Sequence, residues 1–237
     1  MNKQTTPYII YRTGDNAVTI DLGQVISEEL NRKILSMKSW LHAQQQEGIK
    51  DIITAYSALC IHYDFMQIRK LSAGDNFTFI HNLLTRAFEE SQVKEEDKNN
   101  LIKIPVCYDI DFGPDQIEIC KAKNISVDQL IDIHSSVDYR VYMIGFLPGF
   151  PYLGKVDPAI AVPRKPVPRA QVNKGSVAIA GSQTGIYPMA SPGGWQVIGR
   201  TPFRLFEPER EEMIPLQPGN YVRFFRISKE EFEELNQ

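Results

Sequence analysis

GFLPGFPYLGKVDPAIAVPRKPVPRAQVNKGSVAIAGSQTGIYPMASPGGWQVIGRTP, residues 145–202, decides how the second half of this chain folds. Nine glycines and nine prolines fall within it, a share that signals disorder when the residues between them are polar. They are not polar here. Phe146, Phe150, Tyr152, Tyr187 and Trp195 supply enough apolar area to pack. Proline fixes φ and glycine permits left-handed conformations, so the segment reads as rigid, ordered loops. Residues 139–146, 175–180, 195–199 and 221–226 are rich in aromatic and β-branched side chains and are separated by Gly/Pro punctuation. That pattern predicts a barrel or sandwich of short strands.

The segment is also basic. Lys155, Arg164, Lys165, Arg169, Lys174 and Arg200 stand against Asp157 alone, a local charge of +5 in a chain whose total is −3, which leaves −8 for the remainder. An anionic ligand is the natural partner. Guanidinium forks suit a carboxylate or phosphate, and Arg164 and Arg169 each follow a proline that can hold the backbone in place; solvated surface arginines are the alternative. The run SPGGW, 191–195, lets backbone approach a ligand at Gly193 and Gly194 with the indole of Trp195 as a wall, or it is a tight turn before a strand. GFLPGFPYL, 145–153, reads either as a similar loop or as a core plug.

The histidines can be weighed singly. His42 and His81 sit in helical patterns and His62 in a strand, with no spacing that makes a metal site. His134 ends a predicted helix just before the strand leading into GFLPGF, where it can face the arginine loops as a general acid or base, or serve as a helix-terminus residue only. GxSxG, P-loop and GxGxxG motifs do not occur, which argues against a self-contained hydrolase, ATPase or dinucleotide enzyme. Cys60, Cys107 and Cys120 form no CxxC pair. Twenty-six basic and 29 acidic residues give no chain-wide field for a phosphate backbone, so nucleic acid is not an expected partner. No stretch approaches the ~18 apolar residues of a membrane span, and the N-terminus carries only a four-residue apolar run, so a cytoplasmic protein with no membrane partner is expected.

Only Pro7 of the 15 prolines precedes position 100, so the first half follows different rules. Val18, Ile20 and Leu22 alternate as a half-buried strand; Leu30, Ile34, Met37 and Leu41 recur at helical spacing behind a Ser27 cap, with Gly48 as the stop. Two apolar runs, 51–56 and 59–63, precede a second helix through Phe77, Ile80, Leu84, Ala87 and Phe88, capped by Asp75, and then a strand at 102–106. The order β, α, β, β, α, β predicts a split βαβ, ferredoxin-like sandwich over residues 1–97, with a linker at 95–100 and a second domain over 98–237. In that second domain a helix is predicted at 115–121, and another opens at Ser126, where Ser126 and Gln129 form a capping box.

The string 145–202, with IPVCYD and IDIHSSVDYRVYMIGF upstream, resembles the family of 5-oxoprolinase B subunits, also labelled allophanate hydrolase subunit 1 or the kinase inhibitor KipI. The resemblance covers nearly the whole chain and implies an α+β protein: an N-terminal α/β domain, then a cyclophilin-like β-barrel. It implies a non-autonomous subunit of a lactam hydrolase that converts 5-oxoproline to glutamate. The expected partners are a paired cyclophilin-like subunit, of the type labelled allophanate hydrolase subunit 2, and a separate lactam-activating subunit. ATP would be used by the complex through the latter; no cofactor is assigned to this chain. A KipI-like inhibitor of a sensor histidine kinase and a carboxyltransferase-type component acting on urea or a similar amide are the other readings. The family motifs point to His134, Arg169 and Tyr187 as catalytic, and to Arg164, Gln183, Ser191, Gly193, Gly194, Trp195 and Arg200 as binding a small anionic amide. The chain departs from the family pattern at DIDFGPD, residues 109–115.

Overall fold

A computed structural model describes residues 7–72, 74–93, 101–211 and 213–236; the expected linker at 95–100 lies outside the described residues. Contacts divide the chain into two compact units, Met1–Glu96 and Asp97–Gln237.

The first unit holds β1 (Ile9–Gly14), β2 (Ala17–Asp21), α1 (Glu28–Gln44), β3 (Ile49–Thr54), β4 (Ala58–Tyr63), α2 (Phe65–Leu71) and α3 (Asn76–Glu90). Val18, Ile20, Leu59 and Ile61 alternate inward from the strands and meet Ile34, Met37 and Leu41 of α1 and Ile80, Leu84 and Ala87 of α3. Burial of each such large side chain stabilises the unit by about 1.5–3 kcal/mol. The predicted caps form: Ser27 accepts from the Leu30 amide, and Asp75 from the amides of Phe77 and Thr78.

The sheet order is β1-β2-β4-β3, antiparallel throughout. The split βαβ is present, since β4 lies between β2 and β3, which α1 connects. One strand differs from the expected set. The neighbour of β2 is β1, joined to it by a two-residue turn at Asp15–Asn16, not the later strand at 102–106. Strand β1 exposes all its residues but Ile10, so it carries no alternation to read. The run at 102–106 buries Ile104 and Val106 completely because it belongs to the other unit.

That unit begins with β5 (Leu101–Cys107), followed by α4 (Gln116–Lys123), α5 (Val127–Ser135), β6 (Asp138–Ile144), β7 (Pro151–Gly154), β8 (Arg169–Val172), β9 (Ser176–Ala180), β10 (Gln183–Ile186), β11 (Ser191–Gly193), β12 (Gln196–Arg200), β13 (Tyr221–Ile227) and α6 (Lys229–Leu235). The predicted barrel is a closed one of seven strands, in the order β10-β7-β6-β13-β5-β12-β9. Strands β5 and β13, first and last, pair in parallel over seven residues, while the other pairings are antiparallel. The capping box of Ser126 and Gln129 opens α5, which contributes Leu130 and Ile131 to the barrel core.

Side chains alternate across the barrel wall as strand geometry requires. Val177, Ile179, Ile186 and Ile198 join the interior, whereas Ala178, Ala180 and Val197 face outward to a second, smaller apolar cluster with Phe150, Tyr187 and Trp195. The pair β8 and β11 forms a separate two-stranded sheet whose Val172 packs in that outer cluster. The Gly/Pro-rich segment therefore supplies four strands of the barrel, β7, β9, β10 and β12, as well as the packed layer on its outer wall.

Candidate functional site

The outer layer brings together residues that are up to 50 positions apart in sequence. Phe150 is its hub, edge-on to Tyr187 at 5.2 Å and to Trp195 at 5.4 Å, and tilted against Tyr152 at 4.9 Å. The plug reading of GFLPGFPYL thus holds for Phe150, while Phe146 stays exposed. Phe150 lies close to the wall because residue 185 is glycine: a Cβ there would sit 3.0 Å from the ring.

The arginine loops are stitched to this layer. The Lys165 amide donates to the Gly194 carbonyl at 2.7 Å, and the Gln196 side chain donates to the Pro163 carbonyl at 3.3 Å. The Arg164 guanidinium lies over the Trp195 indole, 5.8 Å from its centroid. Arg169 opens β8 directly opposite Gly193 of β11. Burial pushes the Tyr187 phenol's pKa up, and the Trp195 amide, Arg164 and Arg169 offset part of that shift. Tyr187 therefore keeps its proton at neutral pH and can donate a hydrogen bond, with two guanidinium charges within electrostatic reach.

Gly193 allows this approach. A Cβ there would clash with the Tyr187 hydroxyl, whereas one on Gly194 would meet nothing closer than 3.7 Å. Gly193→Ala should cost about 1–3 kcal/mol by overpacking, read as a lower urea midpoint, and Gly194→Ala much less. Equal midpoints for the two variants would contradict the packing described.

A carboxylate missed by sequence reasoning organises the cations. Asp115, the last residue of DIDFGPD, is 2% exposed. Its Oδ1 accepts from Arg169 Nη2 at 2.6 Å and Lys165 Nζ at 2.9 Å, and its Oδ2 accepts from the Val197 amide at 2.6 Å. Burial pushes its pKa up, but the bonds from Arg169, Lys165 and Val197 outweigh that and hold it below the usual carboxylate range. Lys165 also pairs with Glu118 at 2.8 Å. Two acids from outside the basic segment thus compensate two of its cations.

Not every expected residue joins the site. Gln183 and Ser191 flank it, Gln183 opposite Ala180 on the wall and Ser191 on β11 opposite Val172. Arg200 lies at the far end of β12 from Trp195, donating to the Lys174 carbonyl at 2.8 Å, with its guanidinium near the rings of Phe112 and Phe232. The structure thus places the Arg200 guanidinium beside Phe232 of α6 and not with Arg164 and Arg169. His134 is fully buried on the interior side of the wall, stacked on Phe224 at 4.7 Å. Its Nδ1 bonds the Tyr108 hydroxyl at 2.8 Å and its Nε2 the Thr184 hydroxyl at 2.9 Å. Burial lowers its pKa to about 3. The structure thus places His134 in the barrel core as a neutral imidazole with both nitrogens engaged, and does not bring it to the arginine loops.

Among the described residues no cluster of His, Cys, Asp or Glu could hold a metal ion, and no helix is long and apolar enough to cross a membrane.

The class of the chain is given by the carboxyltransferase domain, subdomain C and D, whose family model matches residues 8–216. The chain is 40% identical over 233 residues to the 5-oxoprolinase B subunit of Bacillus subtilis, covering 96% of each chain. It is 37% identical to the protein of that name from Escherichia coli O157:H7, covering 90% of this chain and 94% of that one. A conserved uncharacterized protein of Pyrococcus horikoshii has a related crystal structure, with a TM-score of 0.56 and 40% identity over 94% of this chain and 100% of that one. The chain belongs to the family of 5-oxoprolinase B subunits.

Proposed function

We propose that this chain acts as the B subunit of an ATP-dependent 5-oxoprolinase, with the layer around Tyr187 holding the small anionic lactam while its ring is opened to glutamate. One observation carries the reading: Arg164 lies over the Trp195 ring and both it and Arg169 act electrostatically on the buried Tyr187 phenol, in a chain 40% identical along nearly its full length to a protein of that name. A negatively charged ring with a polar amide requires a cation, an O–H or N–H donor at the carbonyl, and an apolar face for its methylenes. Those three elements are present.

The chain is one component of a larger assembly. As the family resemblance implies, ATP would be consumed on a lactam-activating subunit, and a paired cyclophilin-like subunit would complete the site. This chain's own residues bind and orient the lactam and polarise its carbonyl. Reconstitution tests the proposal by measuring ATP-dependent glutamate release from 5-oxoproline with the two partner subunits, with and without this chain. Release should require the chain; an unchanged rate without it sinks the proposal.

A further inference from the structure

We infer that Asp115 is a positioning residue: by occupying one guanidinium nitrogen of Arg169 it presents the other, Nη1, as a charge-compensated donor to the substrate's amide oxygen, leaving the substrate carboxylate to Arg164. This rests on the reading that the outer layer holds the lactam.

The geometry of Asp115 is committed away from its own helix. It occupies the N-cap position of α4, yet its side chain caps nothing there. It reaches instead to Arg169, Lys165 and the Val197 amide, and its own amide donates to the Val197 carbonyl at 3.1 Å. Both ends of the residue are therefore tied to β12, and Arg169 Nη2 is held by an acceptor that cannot swing. Arg169 Nη1 is buried and donates to nothing among the described residues. A desolvated donor without an acceptor is costly, so such groups in native proteins call for an explanation, and a ligand oxygen supplies one.

Charge separates the two arginines. Asp115, Glu118, Lys165 and Arg169 together carry no net charge, so the donor offered by Arg169 suits a dipolar oxygen on which negative charge develops during reaction. Arg164 is exposed, makes no ion pair among the described residues, and keeps its full charge beside the Trp195 ring. A full cation over an aromatic plane suits a carboxylate.

Kinetics of the reconstituted complex distinguish these roles. Asp115→Asn should lower kcat about 50-fold or more with KM for 5-oxoproline nearly unchanged, whereas Arg164→Gln should raise KM about 10-fold or more with kcat nearly unchanged. Lys165→Met removes a cation from the same carboxylate and upsets the cluster's charge balance, so it should lower kcat by about 5-fold at most, well short of the Asp115→Asn loss, because Arg169 stays tethered. Equal losses for Asp115→Asn and Lys165→Met, or an Asp115→Asn effect confined to KM, overturn the inference. Should Asp115→Asn fail to fold, the full-length wild-type chain labelled with 15N-arginine gives a second measurement. Its Arg169 guanidinium should show hindered rotation and slow exchange, and a freely rotating group overturns the assignment. A wild-type assembly without activity removes the underlying proposal and this one with it; an active assembly indifferent to Asp115 removes this one alone.

Discussion

Lowering the pH from 7 to 4 should cost the wild-type protein about 3 kcal/mol more stability than it costs a His134→Gln variant. The folded protein holds His134 neutral, with a pKa of about 3 against an ordinary 6.5, because burial excludes the charged form. In the unfolded chain the imidazole takes up a proton once the pH falls below about 6.5. The unfolded state then binds more protons than the native one, so the stabilising contribution is complete above 6.5 and is lost as the pH falls toward 3. The slope in that window approaches about 1.4 kcal/mol per pH unit. Urea unfolding at half-unit steps separates this from the carboxylates, which titrate alike in both proteins. Parallel profiles for wild type and variant would mean that the imidazole is charged or solvated in the native state, contrary to its contacts with Tyr108, Thr184 and Phe224.

Arg169→Ala should lower turnover of the reconstituted complex by about 100- to 1,000-fold, the range seen when one preorganised donor to a developing oxyanion is removed. Its effect on stability should be small by comparison. Asp115 keeps Lys165 and the Val197 amide as partners, so its buried charge is not left alone. Arg169→Lys should not restore the rate, because a single ammonium cannot be held by Asp115 and also offer a fixed second donor. Circular dichroism and a urea midpoint establish that the variants are folded, and steady-state rates then decide. Turnover within threefold of wild type in a folded Arg169→Ala protein would refute the role given to this side chain.

What the sequence made legible follows from periodicity and its limits. Helices α1 and α3 were readable because an apolar stripe every three or four residues has one interpretation at that length, and Ser27, Asp75 and Ser126 marked their starts or that of α5. Strands β9, β12 and β13 were readable from their apolar and aromatic content. Strands β7, β8, β10 and β11, at three or four residues each, are too short for a two-residue alternation to stand out. The partner of β5 was not legible either, since a strand's composition does not name a neighbour 120 positions later.

The site shows the same division. Arginines, prolines and aromatics marked the segment by composition, and Phe150, Tyr152, Arg164, Tyr187 and Trp195 meet on the outer wall. Asp115 was silent because an acidic residue at a helix start reads as a cap. The surroundings of His134 and Arg200 were not legible because position along a chain does not reveal which side of a barrel wall, or which end of a strand, a side chain occupies.

The parallel seam between β5 and β13 has a consequence for biosynthesis. During translation β5 leaves the ribosome about 120 residues ahead of the strand that must lie between it and β6. Until residue 227 emerges, the nascent barrel is a cleft with two raw edges, open to any extended peptide nearby. Chains terminated before residue 221 should for that reason be clients of chaperones and proteases, whatever the state of their first 96 residues.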